Sequence, residues 1–207
     1  MATIDNISTT TGKRPVQQRS KERVERMLAA ARDLIETAGS DRMKMSEVAE
    51  KAGVPIGSLY QFFPDKSAIV RALVERTNAE SRQCIEDGLA GATTPEQLST
   101  AFSELFDVYY GMFQEDPAMR DIWAGAQADK ALRALEIEES RVIGGMLGDV
   151  LKRLKPDVPK DKIDTTALLI MNLGEATIRL AISVPEPEGR ALVETYKCMA
   201  VRHIMAL

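Results

Sequence analysis

Residues 44–63, KMSEVAEKAGVPIGSLYQFF, carry the pattern that decides the fold of this 207-residue chain. Two short helices are predicted there, at about 45–51 and 55–62, on either side of Gly53. Glycine suits the turn between them because it adopts a positive φ at little cost. Pro55 suits the first turn of the second helix, where no N–H group is missed. The stretch is therefore typical of a helix-turn-helix.

The two helices are predicted to pack through one apolar face and to leave one face of the second helix free. The inward set is Val48, Ala49, Val54, Leu59 and Phe62. The outward set is Pro55, Ile56, Gly57, Ser58, Tyr60 and Gln61. Because this outward face is small at its N-terminal end and polar further on, it suits the major groove of DNA. The ring of Tyr60 suits either the core or this outward face, and we favour the outward face because the ring lies beside it.

Charge is distributed unevenly along the chain, whose formal net charge is −4. Residues 1–66 carry 11 Lys and Arg against 9 Asp and Glu, whereas residues 67–207 carry 16 against 22. Six basic and two acidic side chains lie between Lys13 and Arg26. Basic stretches of this kind lie along phosphate backbones, although a solvated helix face has the same composition.

The rest of the chain indicates an all-α fold with about nine helices. No window alternates as a strand does, and Gly and Pro interrupt the helical periodicity at intervals of roughly 20–30 residues. We expect a disordered basic arm at 1–16, a helix-turn-helix DNA-binding domain at 17–66, and an effector-binding and dimerisation domain at 67–207.

Several classes of protein are disfavoured by what the sequence contains. Cys84 and Cys198 make no disulfide framework, and the N-terminal stretch has no apolar segment of a signal peptide. We therefore expect a cytoplasmic protein with no membrane contact. A single histidine, His203, argues against a His-rich metal site or a catalytic triad, and acidic pairs such as Glu138–Glu139 suggest solvated faces. We expect no enzyme activity, no metal and no cofactor.

A cluster of aromatic residues suggests a ligand cavity in the larger domain. Half of the ten aromatic residues fall within a helix predicted at about 98–113, and ligand cavities are mostly apolar with a few placed polar groups. The predicted lining is Phe106, Tyr109, Tyr110, Phe113, Trp123 and Met171, with Asn172 or Glu175 as the polar contact. The alternative for each aromatic residue is a plain core position.

The last two predicted helices, at about 160–183 and 187–206, are apolar on more than one face, which favours a homodimer interface. The apolar residues concerned are Ala167, Leu168, Ile170, Leu173, Ala176, Ile178, Val193, Met199, Ala200 and Ile204. Glu175 and Arg179, one turn apart, suit either a surface ion pair or a face toward a partner. The glycines in the run from Gly144 to Gly148 lie inside a helical pattern, which favours close helix packing over a phosphate loop.

Residues 17–75 resemble the DNA-binding domain of TetR-type transcriptional regulators. The resemblance rests on AGVPIGSLYQFFPDKSAI, preceded by RVERMLAAARDLIETAG and SEVAEK. It combines, at fixed spacing, Ala49, Gly53, Gly57, Leu59, Tyr60, Phe63 and Lys66. The remaining two-thirds shows only the helix number and lengths expected of such a regulator.

The resemblance implies that residues 55–62 form a recognition helix. By position, Ser58 and Tyr60 would contact phosphates, and Gln61 would contact a phosphate or a base. Lys66, at the start of the fourth helix, would hold the DNA backbone.

The sequence departs from the family pattern in one place. Family members usually place Thr near position 44, where this chain has Lys44. Either Lys44 replaces the hydroxyl contact with a charge, or Ser46 caps the helix one turn later.

Together these patterns predict a homodimeric, sequence-specific DNA-binding regulator, with two recognition helices roughly 34 Å apart on a near-palindromic operator. We expect a repressor that a small apolar or amphipathic effector releases. The alternative is a helical ligand-binding or adaptor protein whose DNA binding has decayed, and the presence of Gly53, Gly57, Tyr60 and Lys66 argues against it.

Overall fold

A computed structural model describes residues 13–128 and 130–207, and the side chains of 18–123 and 134–207. Over these residues the chain forms nine α-helices and no strand, which confirms the predicted all-α fold. None of these described helices is long and apolar enough to cross a membrane. The helices are α1 (Lys13–Ala38), α2 (Met45–Lys51), α3 (Ile56–Phe62), α4 (Lys66–Ala90), α5 (Pro95–Glu115), α6 (Pro117–Ala128), α7 (Lys130–Leu154), α8 (Lys160–Ala181) and α9 (Glu186–Ala206).

Helix ends follow local sequence signals. Asp65 accepts a hydrogen bond from the backbone N–H of Ala68 (2.8 Å), and Thr94 accepts one from that of Gln97 (3.2 Å), so each caps the helix that follows it. Gly39 ends α1 with φ of 83°. The first helix begins at Lys13, four residues before the predicted start, and the rest of the predicted arm, residues 1–12, lies outside the described residues.

Contacts divide the chain into two compact units, residues 1–72 and 73–207. In the first unit, Val48 and Leu59 are fully buried and Ala49 is nearly so, which confirms that α2 and α3 pack closely. Val54 and Phe62, predicted to face inward, are half-buried. Gly53 has φ of 64°, as the predicted turn requires.

The second unit depends on close approaches between helices at glycine residues. A Cβ added at Gly144 of α7 would lie 2.9 Å from the Cα of Leu168 in α8, so α7 and α8 touch there at backbone distance. A Cβ at Gly174 of α8 would collide with the ring of Phe106. The predicted helix packing at Gly144 is therefore confirmed, and the ring of Phe106 lies directly on the α8 backbone.

Candidate functional site

The outward face of α3 is exposed as a continuous surface. Tyr60 is 50% and Ile56 44% exposed, so much of each large side chain is in contact with water, and covering it with a partner would be favourable. Pro55, Gly57 and Gln61 are also exposed, and Ser58 is half-buried. All six predicted outward residues are thus accessible in the first unit.

Gly57 gives this face an open approach to the helix backbone. A Cβ added there would meet no described atom within 4 Å. The absence of a side chain is therefore unexplained by packing within the described chain. It leaves a gap through which a partner can approach the N-terminal turn of α3.

Two arginines of α1 lie against the turn and α3. Arg23 donates a hydrogen bond from its guanidinium to Oγ of Ser58 (3.2 Å). A Cβ added at Gly53 would lie 4.0 Å from a guanidinium nitrogen of Arg26. Sequence reasoning had placed both only within a basic stretch, because their contacts with residues about 30 positions away leave no local signal.

Lys66 forms a hydrogen bond within the first unit. Its ammonium donates to the backbone carbonyl of Asp41 (3.0 Å) and so links the loop before α2 to the start of α4. An ammonium has three N–H groups, so this bond leaves two for a further acceptor.

Helix α2 begins without a side-chain cap. Lys44 is the N-cap residue and makes no side-chain capping bond. Its exposed ammonium pairs with Glu47 (3.4 Å). The helix begins at Met45, before Ser46, so the expectation that Ser46 caps the helix one turn later is wrong. Ser46 is exposed on the first turn.

Two neighbouring pockets of the second unit share part of their lining and are here called the two lobes of one candidate cavity. The two lobes enclose about 420 and 490 Å³ of space that atoms leave unfilled, part of it open to solvent. Four residues line both: Asn78, Tyr109, Glu139 and Glu175. The first lobe is completed by Val74, Thr77, Phe113, Met119, Ile122, Trp123 and Glu136. The second lobe is completed by Ser81, Cys84, Ile85, Leu105, Phe106, Ile143 and Met171.

Each lobe holds little free space. The free space in each suffices for only about one or two water molecules. A drug-sized ligand needs several hundred Å³. Occupation by such a ligand therefore requires lining side chains to move.

Six of the eight side chains predicted to line the cavity do so: Phe106, Tyr109, Phe113, Trp123, Met171 and Glu175. Tyr110 and Asn172 lie elsewhere. The hydroxyl of Tyr110 packs against Gly189, and Asn172 is exposed and donates to Oγ of Ser140 (3.1 Å). Each follows a lining residue in sequence, and neighbouring positions on a helix point about 100° apart.

Half of the twelve lining residues that sequence reasoning missed come from α4. Val74, Asn78, Ser81 and Ile85 follow one face of that helix at spacings of four, three and four residues. This face of α4 mixes polar and apolar residues. Sequence reasoning therefore did not identify it as buried, because an apolar stripe is the usual sign of a buried helix face.

Aromatic rings form the wall of the first lobe. Trp123 stacks on Phe113 with ring centroids 4.5 Å apart, and Tyr109 meets Phe113 edge-on at 5.2 Å. The guanidinium of Arg179 lies 4.9 Å from the centroid of Trp123, a distance at which a cation is attracted to the ring. Arg179 is thus used within the unit, by stacking on Trp123.

Two partly buried carboxyl groups, those of Glu139 and Glu175, lie where the lobes meet. Glu175 accepts a hydrogen bond from the hydroxyl of Ser140 (2.8 Å), yet burial raises the pKa of Glu175 to about 7 because a low dielectric disfavours the charged form. Glu139 pairs with Arg82 through one oxygen, and burial raises the pKa of Glu139 as well.

The expectation that Glu139 lies on a solvated face is therefore wrong. Its side chain is 12% exposed, whereas that of neighbouring Glu138 is 72% exposed. The other oxygen of Glu139 is buried without a hydrogen-bond partner in the part of the chain that the structure describes.

An apolar stripe remains uncovered on α8. Leu169, Leu173, Ala176 and Leu180 recur at helical spacing and are exposed, the three leucines by 47–55%. Met199 of α9 is 65% exposed. Other apolar residues of the two helices, including Ala167, Ile178 and Ile204, are buried in the unit's own core.

Comparison with known proteins covers both units. Residues 27–73 match the family described as bacterial regulatory proteins, tetR family, and residues 96–207 match the tetracyclin repressor-like C-terminal domain. A helix-turn-helix-type transcriptional regulator of Staphylococcus aureus strain USA300 is 25% identical over 152 residues, which cover 56% of this chain and 79% of that protein.

Solved structures show the same fold. A TetR-family transcriptional regulator from Streptomyces coelicolor has a TM-score of 0.70 and 25% identity, with 91% of this chain and 98% of that chain covered. A TetR-family regulator from Pectobacterium atrosepticum has a TM-score of 0.67 at 17% identity, with coverage of 91% and 93%. Because the C-terminal match alone spans more than half of the sequence, this chain belongs to the TetR family and is a DNA-binding transcriptional regulator with a C-terminal ligand-binding domain.

Proposed function

We propose that the chain is a homodimeric cytoplasmic repressor, and not an enzyme, that binds a near-palindromic operator through α3. A small apolar or amphipathic effector in the two-lobed cavity releases it from DNA. The observation that carries this proposal is the exposed face of α3, open above Gly57. The functional domains proposed are residues 17–66 for DNA binding and 67–207 for effector binding and dimerisation.

The contacts proposed for DNA follow from what each exposed side chain can donate. Ser58 accepts from Arg23, so its hydroxyl hydrogen is left to donate to a phosphate. Tyr60 donates in the same way. Gln61 reaches a base edge or a phosphate, and Lys66 and Lys44 supply positive charge to the backbone. Ser46 adds a hydroxyl at the start of α2.

Close approach is the role proposed for the N-terminal turn of α3. Pro55, Ile56 and Gly57 place little bulk there, which lets the helix enter the major groove N-terminus first.

Release follows if the effector binds better to a conformation in which the recognition helices are misplaced, because a ligand shifts an equilibrium only by its differential affinity. The helix α4 contributes Lys66 to the first unit and Asn78 and Ser81 to the cavity lining. We propose that this helix carries the coupling.

Selection from a random duplex library tests the proposal. We expect enrichment of a near-palindrome whose affinity falls steeply between roughly 50 and 200 mM salt. Tyr60→Phe should weaken binding by up to about tenfold through loss of one hydrogen bond. Lys66→Ala should weaken binding about tenfold and lower the slope of log affinity against log salt by about one.

Lys155→Ala is the matched control for Lys66→Ala. The Lys155 ammonium also donates to a backbone carbonyl, that of Met205 (2.9 Å), but in the second unit. The Lys155→Ala substitution should leave operator affinity unchanged. If a folded dimer enriches no sequence at any salt concentration, the proposal fails and an adaptor role is left.

Dimerisation is proposed through the exposed stripe of α8 with α9. At a two-fold interface each residue meets the same surface of its copy, so Leu173→Glu would bury two carboxylates. We expect the dimer dissociation constant to rise at least about 100-fold, since an unpaired buried charge costs several kcal/mol. Sedimentation velocity measures it. Val108→Glu, at a valine of α5 that is 52% exposed, should stay dimeric, and a dimeric Leu173→Glu variant would contradict this interface.

A further inference from the structure

We infer that the effector is an organic cation with an apolar body, whose ammonium group binds between Glu139 and Glu175 and whose body fills the second lobe. This inference rests on the proposed effector role of the cavity and names the class of ligand it takes. It needs no DNA for its test.

The shared boundary of the lobes carries two carboxyl groups, Glu139 and Glu175, beside the polar side chains of Asn78 and Tyr109. Arg82 occupies only one oxygen of Glu139, and the other is buried without a partner among the residues described. Glu175 lines the same boundary and receives one neutral hydrogen bond, from Ser140. A bound ammonium would donate to both carboxylates, and charge-assisted hydrogen bonds are the stronger kind.

Ser81 extends this set of acceptors into the second lobe. It is only 7% exposed, and its Oγ has no hydrogen-bond partner of acceptable geometry within the described chain, although it lies near the phenol of Tyr109. A buried hydroxyl left unpaired carries a desolvation cost. A donor on the ligand would remove that cost.

The walls of the second lobe define the rest of the ligand. Ile85, Leu105, Phe106, Ile143 and Met171 are all buried and apolar. A hydrocarbon chain or a phenyl ring suits this surface, whereas a second charge in the body would be left unsolvated.

The charged surroundings favour a cation over an anion. Glu136 adds a third carboxyl group to the lining, on the first lobe. The two nearby arginines already have partners, since Arg82 pairs with Glu139 and Arg179 stacks on Trp123. An anion at the boundary would face carboxylates, and like charges repel strongly at a desolvated contact.

Cation binding would also be linked to pH. Glu175 faces Glu136 and Glu139 from α7, Tyr109 from α5 and Arg179 from its own helix. A bound cation stabilises its carboxylate, so binding near pH 7 should release protons from Glu175, and affinity should rise between pH 6 and 8.

Three probes of similar shape test the inference with the whole protein: 4-phenylbutylammonium, 4-phenylbutanol and 5-phenylpentanoate. Trp123 is the only tryptophan and lines the first lobe, so its fluorescence reports binding. We expect the ammonium probe to bind at least about tenfold tighter than the alcohol and the carboxylate to bind weakest. Equal affinity for the ammonium and alcohol probes, or tightest binding by the carboxylate, would overturn the inference.

Variants locate the ammonium. Glu175→Gln keeps an acceptor for Ser140 and should lower affinity for the ammonium probe about tenfold, abolish its pH dependence and leave the alcohol unaffected. Glu138→Gln, at an exposed neighbour of Glu139, should change nothing. The wild-type probe comparison stands even if a variant folds poorly.

The operator assay separates the two proposals. If the ammonium probe binds but operator affinity stays the same, the ligand class holds and the release function fails. If only neutral or anionic compounds bind the cavity and release DNA, the function holds and the ligand class fails.

Discussion

Gly57→Glu is expected to lower operator affinity at least about 100-fold while leaving the protein at least as stable. The new side chain would point into the space open above α3 and would set a carboxylate against phosphates, where like charges cost several kcal/mol. Its effect on the fold is favourable, because Glu has the better helix propensity and stands in the first turn, where the helix dipole favours negative charge.

Gly145→Glu is the matched control. Gly145 is also an exposed helical glycine whose added Cβ meets no described atom within 4 Å, but it lies on α7. Both variants change the net charge equally. Fluorescence anisotropy with the selected operator at fixed salt should show the loss for Gly57→Glu alone. Equal losses in both variants, or normal binding by Gly57→Glu, would show that the face of α3 does not enter the groove.

Glu175→Gln is expected to stabilise the protein at pH 8 by about 3 kcal/mol per chain and to have little effect at pH 5. Glu175 has a pKa of about 7 in the folded chain against an ordinary value of 4.5, and each pKa unit corresponds to about 1.4 kcal/mol. Between these values the folded state holds a proton that the unfolded state has lost. Wild-type stability therefore falls as pH rises from 4.5 to 7 and is constant above.

Urea unfolding at pH 5 and pH 8 measures this difference, and the protein concentration is held fixed because the proposed dimer would make stability depend on it. Gln stays neutral at both values, so the advantage of the variant should appear only on the alkaline side. Glu138→Gln should match the wild type at both pH values. An advantage of Glu175→Gln that is the same at pH 5 and pH 8 would show that Glu175 is not held protonated by burial.

The first unit was largely predictable because its signals are local. Gly53 has the positive φ that the turn requires, Asp65 caps α4, and α2 spans the residues predicted for it. Each of these features depends on neighbours within about four positions. The capping role considered for Ser46 failed because the chain enters the helix one residue earlier, at Met45.

The cavity was only partly predictable because its lining depends on how helices are rotated against one another. Tyr109 and Tyr110 have the same chemistry, yet only Tyr109 borders the lobes. Glu139 looks like a solvated acid in sequence until α7 turns it toward Arg82 of α4, 57 residues away. Periodicity identifies a face, but tertiary packing decides what that face meets.

The nearly filled lobes have a consequence for how such a regulator evolves. The ring contacts of Tyr109 with Phe113 and Trp123 help to pack the second unit, and a ligand that enters the lobes would disturb them. The same contacts therefore raise the thermal stability of the fold and lower its affinity for the inducer. Weaker packing contacts would give a regulator that responds to less inducer but unfolds more easily. Stronger contacts would give a more stable regulator that responds only at high inducer concentration.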